Sequence, residues 1–437
     1  DEVKAMEGAA WIKGSLVFKV LYRSDKQEGK ISCLRGEIPF QERLNMDGLS
    51  EYDAVHATGD MEDLTIGVIN SRKLNVRAVI VLTASSEKEV DEELTCELSD
   101  GSSYEQNIVE KEALKLLVVR RDICRQKSEA VLPSSKPNIR EILWQSMQLR
   151  NVESRLVEGK IRLSGEILVS ILYNDEEEGE HLSWYETTVP LDAQAECGVM
   201  EDDCIWQVQM VPLTMELEVK PDYDGEERIL VMELALDTHI RIWKEEKIRL
   251  LTDLYSLQKE VKPVFRECPL ERLLVKNAAK CRMTEQMGTV EVNILYITPD
   301  DHMPVGAVQE IYPFSQLVEI PEMSPQAKVE LDASLEQLSA VMLDQEHVEI
   351  RAAVRLDLIA FVQEVIQNIE EATESEPDLE MLRNRPGLVG YIAKAGDDLW
   401  TIAKENHTTI QNIMETNHRK SEVLLAGEKV LIVKQVG

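Results

Sequence analysis

Apolar and polar residues alternate with a period of two along much of this chain, the pattern of half-buried β-strands. Val290, Val292, Ile294 and Tyr296 alternate with Glu291, Asn293 and Leu295. The same phrase recurs at Ile167–Tyr173 and at Leu16–Tyr22, where Ser15 and Lys19 mark the opposite face. The closing tyrosines Tyr22, Tyr173 and Tyr296 are each followed 17 positions on by a proline, Pro39, Pro190 and Pro313. Independent strands do not share such spacing, so it marks an internal repeat, and a repeat decides the architecture. Polar, turn-prone segments after each tyrosine (Ser24–Lys30, Asn174–Glu180, Thr298–Met303) read as hairpin loops. A proline donates no ladder hydrogen bond, so each should lie at a sheet edge or a bulge.

The copies extend further. Val76, Val231 and Ile350 lie 54, 58 and 54 residues after their tyrosines, and the middle copy carries the turn-like insert Lys220–Arg228. Tyr104 and Tyr255 each stand 82 positions after Tyr22 and Tyr173, whereas the third copy has Asp378 there and ends early. With the alternating runs Met215–Lys220 and Val329–Leu335, each copy makes an antiparallel sandwich-like module of about 100–120 residues. The expected fold is mainly β. Its modules span residues 1–127, 128–258 and 259–372, followed by an acidic linker at 373–387 and a small domain at 388–437. A helix is expected over Pro137–Met147, where Ile139, Ile142, Leu143 and Met147 share a face. It falls in the extra sequence that separates Tyr22 from Tyr173 by 151 residues, against 123 from Tyr173 to Tyr296.

After Glu370–Glu380 and the Arg385-Pro386-Gly387 break the texture changes. Tyr391–Ala393 reads as a short strand. Gly396-Asp397 then turns the chain into an aspartate-capped helix with Leu399, Ile402 and Ala403 inward. A second helix at Thr409–Glu415 buries Ile410, Ile413 and Met414, and a closing strand, Lys429–Val433, follows the Gly427 turn.

A length of 437 residues fits three or four domains, and 43% hydrophobic residues mark a globular chain. The formal charge of −33, from 48 basic and 81 acidic residues, argues against nucleic acid and anionic membranes. It suits solubility, or a basic partner in a crowded assembly. Seven scattered cysteines without a C-x-x-C pair favour reduced thiols over disulfides or zinc. No apolar run approaches the ~18–20 residues that span a bilayer. The chain does not begin with a methionine, and its opening DEVKAMEG carries no apolar leader, which suggests trimming. Phosphate-loop, dinucleotide and nucleophile-elbow motifs are missing, and the seven histidines never take H-E-x-x-H or H-x-H spacing. The chain is therefore expected to be neither an enzyme nor a metal protein, and to need no cofactor. The acidic stretches Asp175–Glu178 and Glu201–Asp203 read as solvated loop charge.

The β-α-α-β stretch of about fifty residues resembles a LysM domain at Tyr391, Gly396, Asp397, Leu399, Trp400, Ile402, Ala403, Asn417, Gly427, Glu428 and Val430–Ile432. That resemblance implies a shallow groove for N-acetylglucosamine polymers, formed here by Gly396, Asp397, Asp398, Leu399, Leu425, Ala426 and Gly427. Two positions depart from the family pattern: Asp398 replaces a Thr or Ser, and Ala426 replaces a proline. The three repeats, the Lys136–Leu143 junction and the terminal LysM stretch together resemble the SPOCS-domain spore coat morphogenetic proteins of endospore-forming bacteria, of the SipL type. The resemblance implies a scaffold at the forespore surface in the mother-cell cytoplasm. Its partners would be a coat morphogenetic ATPase or other coat proteins, and LysM would dock a protein. The other reading is a cell-wall or cortex protein that holds peptidoglycan glycan chains. Edge strands of tandem β modules can also add to one another, so a filament or homo-oligomer is a further expectation.

Overall fold

The computed structural model describes residues 2–23, 30–87, 90–99, 103–176, 181–201, 203–276, 286–298, 304–316, 320, 323–344, 347–377, 380 and 386–434. Most of each expected loop after the repeated tyrosines lies outside these residues, as do Asp378 and Cys281. The fold is mainly β, in a series of antiparallel sheets.

The first copy holds β1 (Glu2–Met6), β2 (Ala9–Arg23) and β3 (Ile31–Asn45) in one sheet, then a hairpin of β4 (Ala54–Asn70) and β5 (Lys73–Glu87). β6 (Glu105–Val131) leads to the sheet of β7 (Ile139–Val157), β8 (Lys160–Asp175) and β9 (Leu182–Glu196). A second hairpin, β10 (Cys204–Pro221) and β11 (Glu227–Tyr255), takes β6 as its third strand. In the third copy β12 (Glu260–Lys276) pairs with β16 (Val348–Ser375), which also pairs with β15 (Lys328–Met342). β13 (Gln286–Ile297) and β14 (Val305–Gln316) form a separate hairpin. The expected linker at 373–387 is shorter than its acidity suggests, since β16 runs to Ser375.

The repeat prolines sit where their missing N–H costs least. Pro39, Pro190 and Pro313 face Ser15, Glu166 and Thr289, and β3, β9 and β14 are edge strands. The middle copy is a packed sandwich. Ile161, Leu163, Tyr173 and Leu191 of one sheet meet Leu230, Met232, Leu236 and Ile240 of the other, all fully buried. Each such side chain contributes roughly 1.5–3 kcal/mol of transfer free energy. Tyr173 is wholly buried and donates its hydroxyl to the Pro137 carbonyl at 3.2 Å. Tyr22 and Tyr296, at 43% and 40% exposure, are not core, so the tyrosine-ended strand is a core feature in one copy of three.

The expected helix at Pro137–Met147 is not formed; the segment enters β7. Ile139, Leu143 and Met147 are indeed buried, but a spacing of four satisfies a strand's period of two as well as a helical turn. Pairing with β8, with Ile142 opposite Tyr173 and bulges on either side of Ile142, supplies from another strand the backbone hydrogen bonds that a helix would have made locally. A division after residue 127 would also cut β6, which is bonded to β11 along its whole length.

A glycine stands eight residues before each repeated tyrosine, at Gly14, Gly165 and Gly288. A Cβ on Gly165 would lie 2.9 Å from the Arg150 carbonyl oxygen and 3.1 Å from that of Asn151, where β7 bulges against β8. The backbone itself occupies that space.

The modules pack on one another. Arg241 of β11 is buried and its guanidinium donates to Glu87 at the end of β5 at 2.6 Å, to Gln207 at 2.5 Å, and to Glu330 of β15. Trp243 tilts against Phe361, with ring centroids 5.5 Å apart. The Asn368 amide group donates to the carbonyls of Thr95 and Leu251 and accepts from Thr95 N–H, tying segments of all three copies.

Candidate functional site

The C-terminal domain pairs β17 (Leu388–Ile392) with β18 (Lys429–Val433) around α1 (Leu399–Glu405) and α2 (Ile410–Thr416). Leu399, Ile402, Ala403, Ile413, Val430 and Ile432 form its core. Asn417 locks the second helix to the sheet, donating to the Leu431 carbonyl and accepting its N–H, both at 2.7 Å.

The two loops expected to form the groove come together through Ala393, whose N–H donates to Glu428 O at 2.8 Å and whose carbonyl accepts from Gly427 N–H at 2.7 Å. Gly427 has φ +85°, a backbone setting a side chain would strain. Asp397 and Asp398 divide the work in the first loop. The Asp397 carboxylate accepts from Lys394 N–H at 2.8 Å and from the Tyr391 hydroxyl at 2.7 Å; these bonds hold it below the ordinary carboxylate range. Asp398 is the cap of α1, accepting from the Thr401 N–H and hydroxyl, both at 2.8 Å. In the second loop the Glu428 carboxylate accepts from Leu425 N–H at 3.1 Å and from Arg419, and is likewise held low.

Of the seven expected groove residues, Leu399 is buried at 2% exposure and belongs to the core. Gly396, Asp398, Leu425, Ala426 and Gly427 are exposed, and Asp397 is half-buried. Leu425 stands 70% exposed beside Val423, also 70%. The second loop therefore presents aliphatic side chains, while both aspartates of the first are engaged in hydrogen bonds within it.

The face of the domain that carries Trp400 and Lys404 is occupied. Trp400 Nε1–H donates to Asp253 at 2.7 Å, and Lys404 Nζ reaches both Asp253 oxygens at 2.6 and 2.8 Å. The Tyr255 ring meets the Trp400 indole edge-on at 5.0 Å, and its hydroxyl donates to the Thr408 carbonyl at 2.8 Å. Burial pushes the Tyr255 phenol well up, so it stays a donor. Sequence reasoning missed Asp253 and marked Tyr255 only as a repeat position, because nothing local ties the end of β11 to a domain about 150 residues away; the one signal was a tryptophan on a small amphipathic helix.

Among the described residues no group of His, Cys, Asp or Glu is gathered for a metal ion. An open polar cleft lined by Arg150, Glu166, Glu336 and Gln337 holds no nucleophile beside a base. Among the described residues no helix is long and apolar enough to cross a membrane.

The family model described as the SipL SPOCS domain matches residues 1–69, 138–220 and 286–343, and the LysM domain model matches residues 391–433. No curated protein and no solved structure matches the chain. The matched segments fall on the first sheet of each copy and the strand after it, while β5, β6, β11, β12 and β16 lie outside them. Three SPOCS segments followed by a LysM domain make this chain a member of the SipL-type SPOCS family of sporulation proteins.

Proposed function

We propose that the chain is a non-enzymatic scaffold of spore coat or spore envelope assembly, and that its LysM loops dock a coat morphogenetic protein, the polymerising ATPase being the first candidate. Its assembly units are three β modules, with the first division ahead of β6, a short linker and the LysM domain at 388–437. Its place of work is the mother-cell face of the forespore. The observation that carries this reading is the groove itself. The carboxylates of Asp397 and Asp398 are used within the loop, and the exposed side chains there, Val423 and Leu425, are apolar. Exposed aliphatic side chains suit a protein surface better than a polyhydroxylated glycan.

The second reading, peptidoglycan binding, rests on the LysM match and on loops that stay open to solvent while the Trp400 face is covered. The chain's charge of −33 opposes approach to acidic wall polymer. Full-length protein, its Leu425→Asp variant and its Gly427→Val variant separate the two. Docking to protein predicts capture of the purified coat ATPase that Leu425→Asp abolishes, with no retention on purified cortex sacculi. Retention on sacculi that is lost in Gly427→Val and kept in Leu425→Asp would reverse the assignment.

A further inference from the structure

Several strand glycines of this chain face an aromatic ring directly across the sheet. Gly14 pairs with Phe40 and Gly36 with Phe18 in the first copy, and Gly288 pairs with Phe314 and Gly306 with Tyr296 in the third. A Cβ at any of these glycines would collide with the facing ring, so the glycine is the space that the ring fills. Gly390 of β17 has no such ring, for it stands opposite Leu431. Its φ lies outside the left-handed region, and an added Cβ would meet nothing within 4 Å. Neither backbone conformation nor crowding within the chain calls for a glycine there.

Gly390 also lies on an open strand edge. Ala393 N–H donates to Glu428 O and Lys434 N–H to Gly387 O, so the peptide groups of Gly387, Val389, Tyr391 and Ala393 face β18. Those of Leu388, Gly390 and Ile392 therefore point away from β18, and among the described residues no strand pairs with them. The opposite margin of the sheet is closed. Asn417 bonds the N–H and the carbonyl of Leu431, and Asn412 donates to the Val433 carbonyl. On the face away from the helices Leu388 and Ile392 stand 59% and 60% exposed, with Gly390 as a gap between them. Lys429, opposite Ile392 in the register, is exposed on the same face.

We infer that β17 is a strand-docking edge, separate from the groove loops: it takes an extended segment of a protein partner, antiparallel to Leu388–Ile392, with an aromatic side chain seated over Gly390. Main-chain hydrogen bonds to Leu388, Gly390 and Ile392 hold the segment. Its ring fills the gap as Phe40 does over Gly14. The residue two positions before the ring falls opposite Ile392, where a carboxylate meets Lys429, and the residue two positions after falls opposite Leu388, where an aliphatic side chain packs. A second copy of this chain is the wrong occupant. In antiparallel self-pairing the outward-pointing residues face one another, so Gly390 meets Leu388, Gly390 or Ile392 and never a ring. The edge stands whichever ligand the groove loops hold, so the inference does not rest on that assignment.

The probe is the peptide acetyl-TETFTVT-amide, whose glutamate, phenylalanine and valine fall opposite Ile392, Gly390 and Leu388. Added to the full-length chain at millimolar concentration, it should slow hydrogen exchange of the Leu388, Gly390 and Ile392 amides at least ~3-fold. Amides of α1 and α2 should be unchanged. The same peptide with alanine in place of phenylalanine should lose most of that protection. Gly390→Leu fills the gap on a backbone that accepts a side chain, and it should abolish protection while α1 and α2 exchange as before. Leu425→Asp should leave protection intact, which separates failure of this edge from failure of the groove reading. Unaltered exchange with the phenylalanine peptide overturns the inference. Equal protection by both peptides overturns it too, as does protection lost in Leu425→Asp. So does protection of these three amides that rises with protein concentration in the absence of peptide, because the edge would then serve a second copy.

Discussion

Trp400 donates its indole N–H to Asp253 across 147 positions of chain, and that bond fixes the LysM domain on the end of β11. Asp253 also accepts from Lys404, so Asp253→Ala strands both a cation and an indole donor. The domain should undock while keeping its own core of Leu399, Ile402 and Val430. The loss is about 2 kcal/mol, from hydrogen bonds to a charged group. Faster cleavage between residues 376 and 387, with unchanged exchange in α1 and α2, is the expected signature.

Arg241 is the second tie. Removing it leaves half-buried Glu330 with one cationic neighbour, Lys328, and cuts the link to Glu87. Arg241→Met should cost about 3 kcal/mol, the range for breaking a buried ion pair. Arg241→Lys should recover only part, since one ammonium cannot serve three acceptors in a plane. Thermal unfolding and solution scattering read the two effects, the second as an increase in radius of gyration.

The same junction gives the chain an acid limit. Burial depresses His239 below its ordinary 6.5, aided by Arg241, His56 and Arg121 and opposed by Glu87. Burial would raise Glu330, but hydrogen bonds and charge from Arg241 and Lys328 overcome it and set the carboxyl below 4.5. Both groups bind protons more readily unfolded than folded, so their contribution is full at neutral pH and lost on acidification, His239 first. The melting temperature should fall as pH drops below 6.5, and His239→Gln should flatten that first part of the fall.

Gly165 and Gly14 are equivalent in sequence but not in tolerance. An added Cβ at Gly165 meets backbone at 2.9 Å, whereas at Gly14 it meets the far end of the Phe40 ring at 2.6 Å, which can swing aside. Gly165→Ala should destabilise by about 3 kcal/mol and Gly14→Ala by about 1 kcal/mol, the span of overpacking costs. Urea unfolding of the two variants makes the comparison.

Much of this architecture was legible in the residues. The repeated tyrosine and proline marked the first sheet of each copy, and proline chemistry put Pro39, Pro190 and Pro313 on edges. The LysM domain followed from its pattern of Gly, Asp, Leu and Asn. What escaped depends on pairing between distant segments. Ile139, Leu143 and Met147 suit a helix or a strand equally, and only β8 decides between them. Leu399 reads both as an inward helix residue and, by family position, as a groove residue; its side chain lies in the core, while Asp398 takes the cap. Asp253 looked like one acid among many until Trp400 and Lys404 were placed against it.

The long pairing of β6 with β11 also has a consequence for the order of synthesis. β6 leaves the ribosome before the 95 residues that separate Val131 from Glu227. At ~5–20 residues per second it waits roughly 5–20 s for its partner. A bare strand of 27 residues would invite pairing with neighbouring chains for all that time. The charges of Arg120, Arg121, Asp122, Arg125, Lys127 and Glu129, spread over both faces, keep the nascent strand hydrated until β11 arrives.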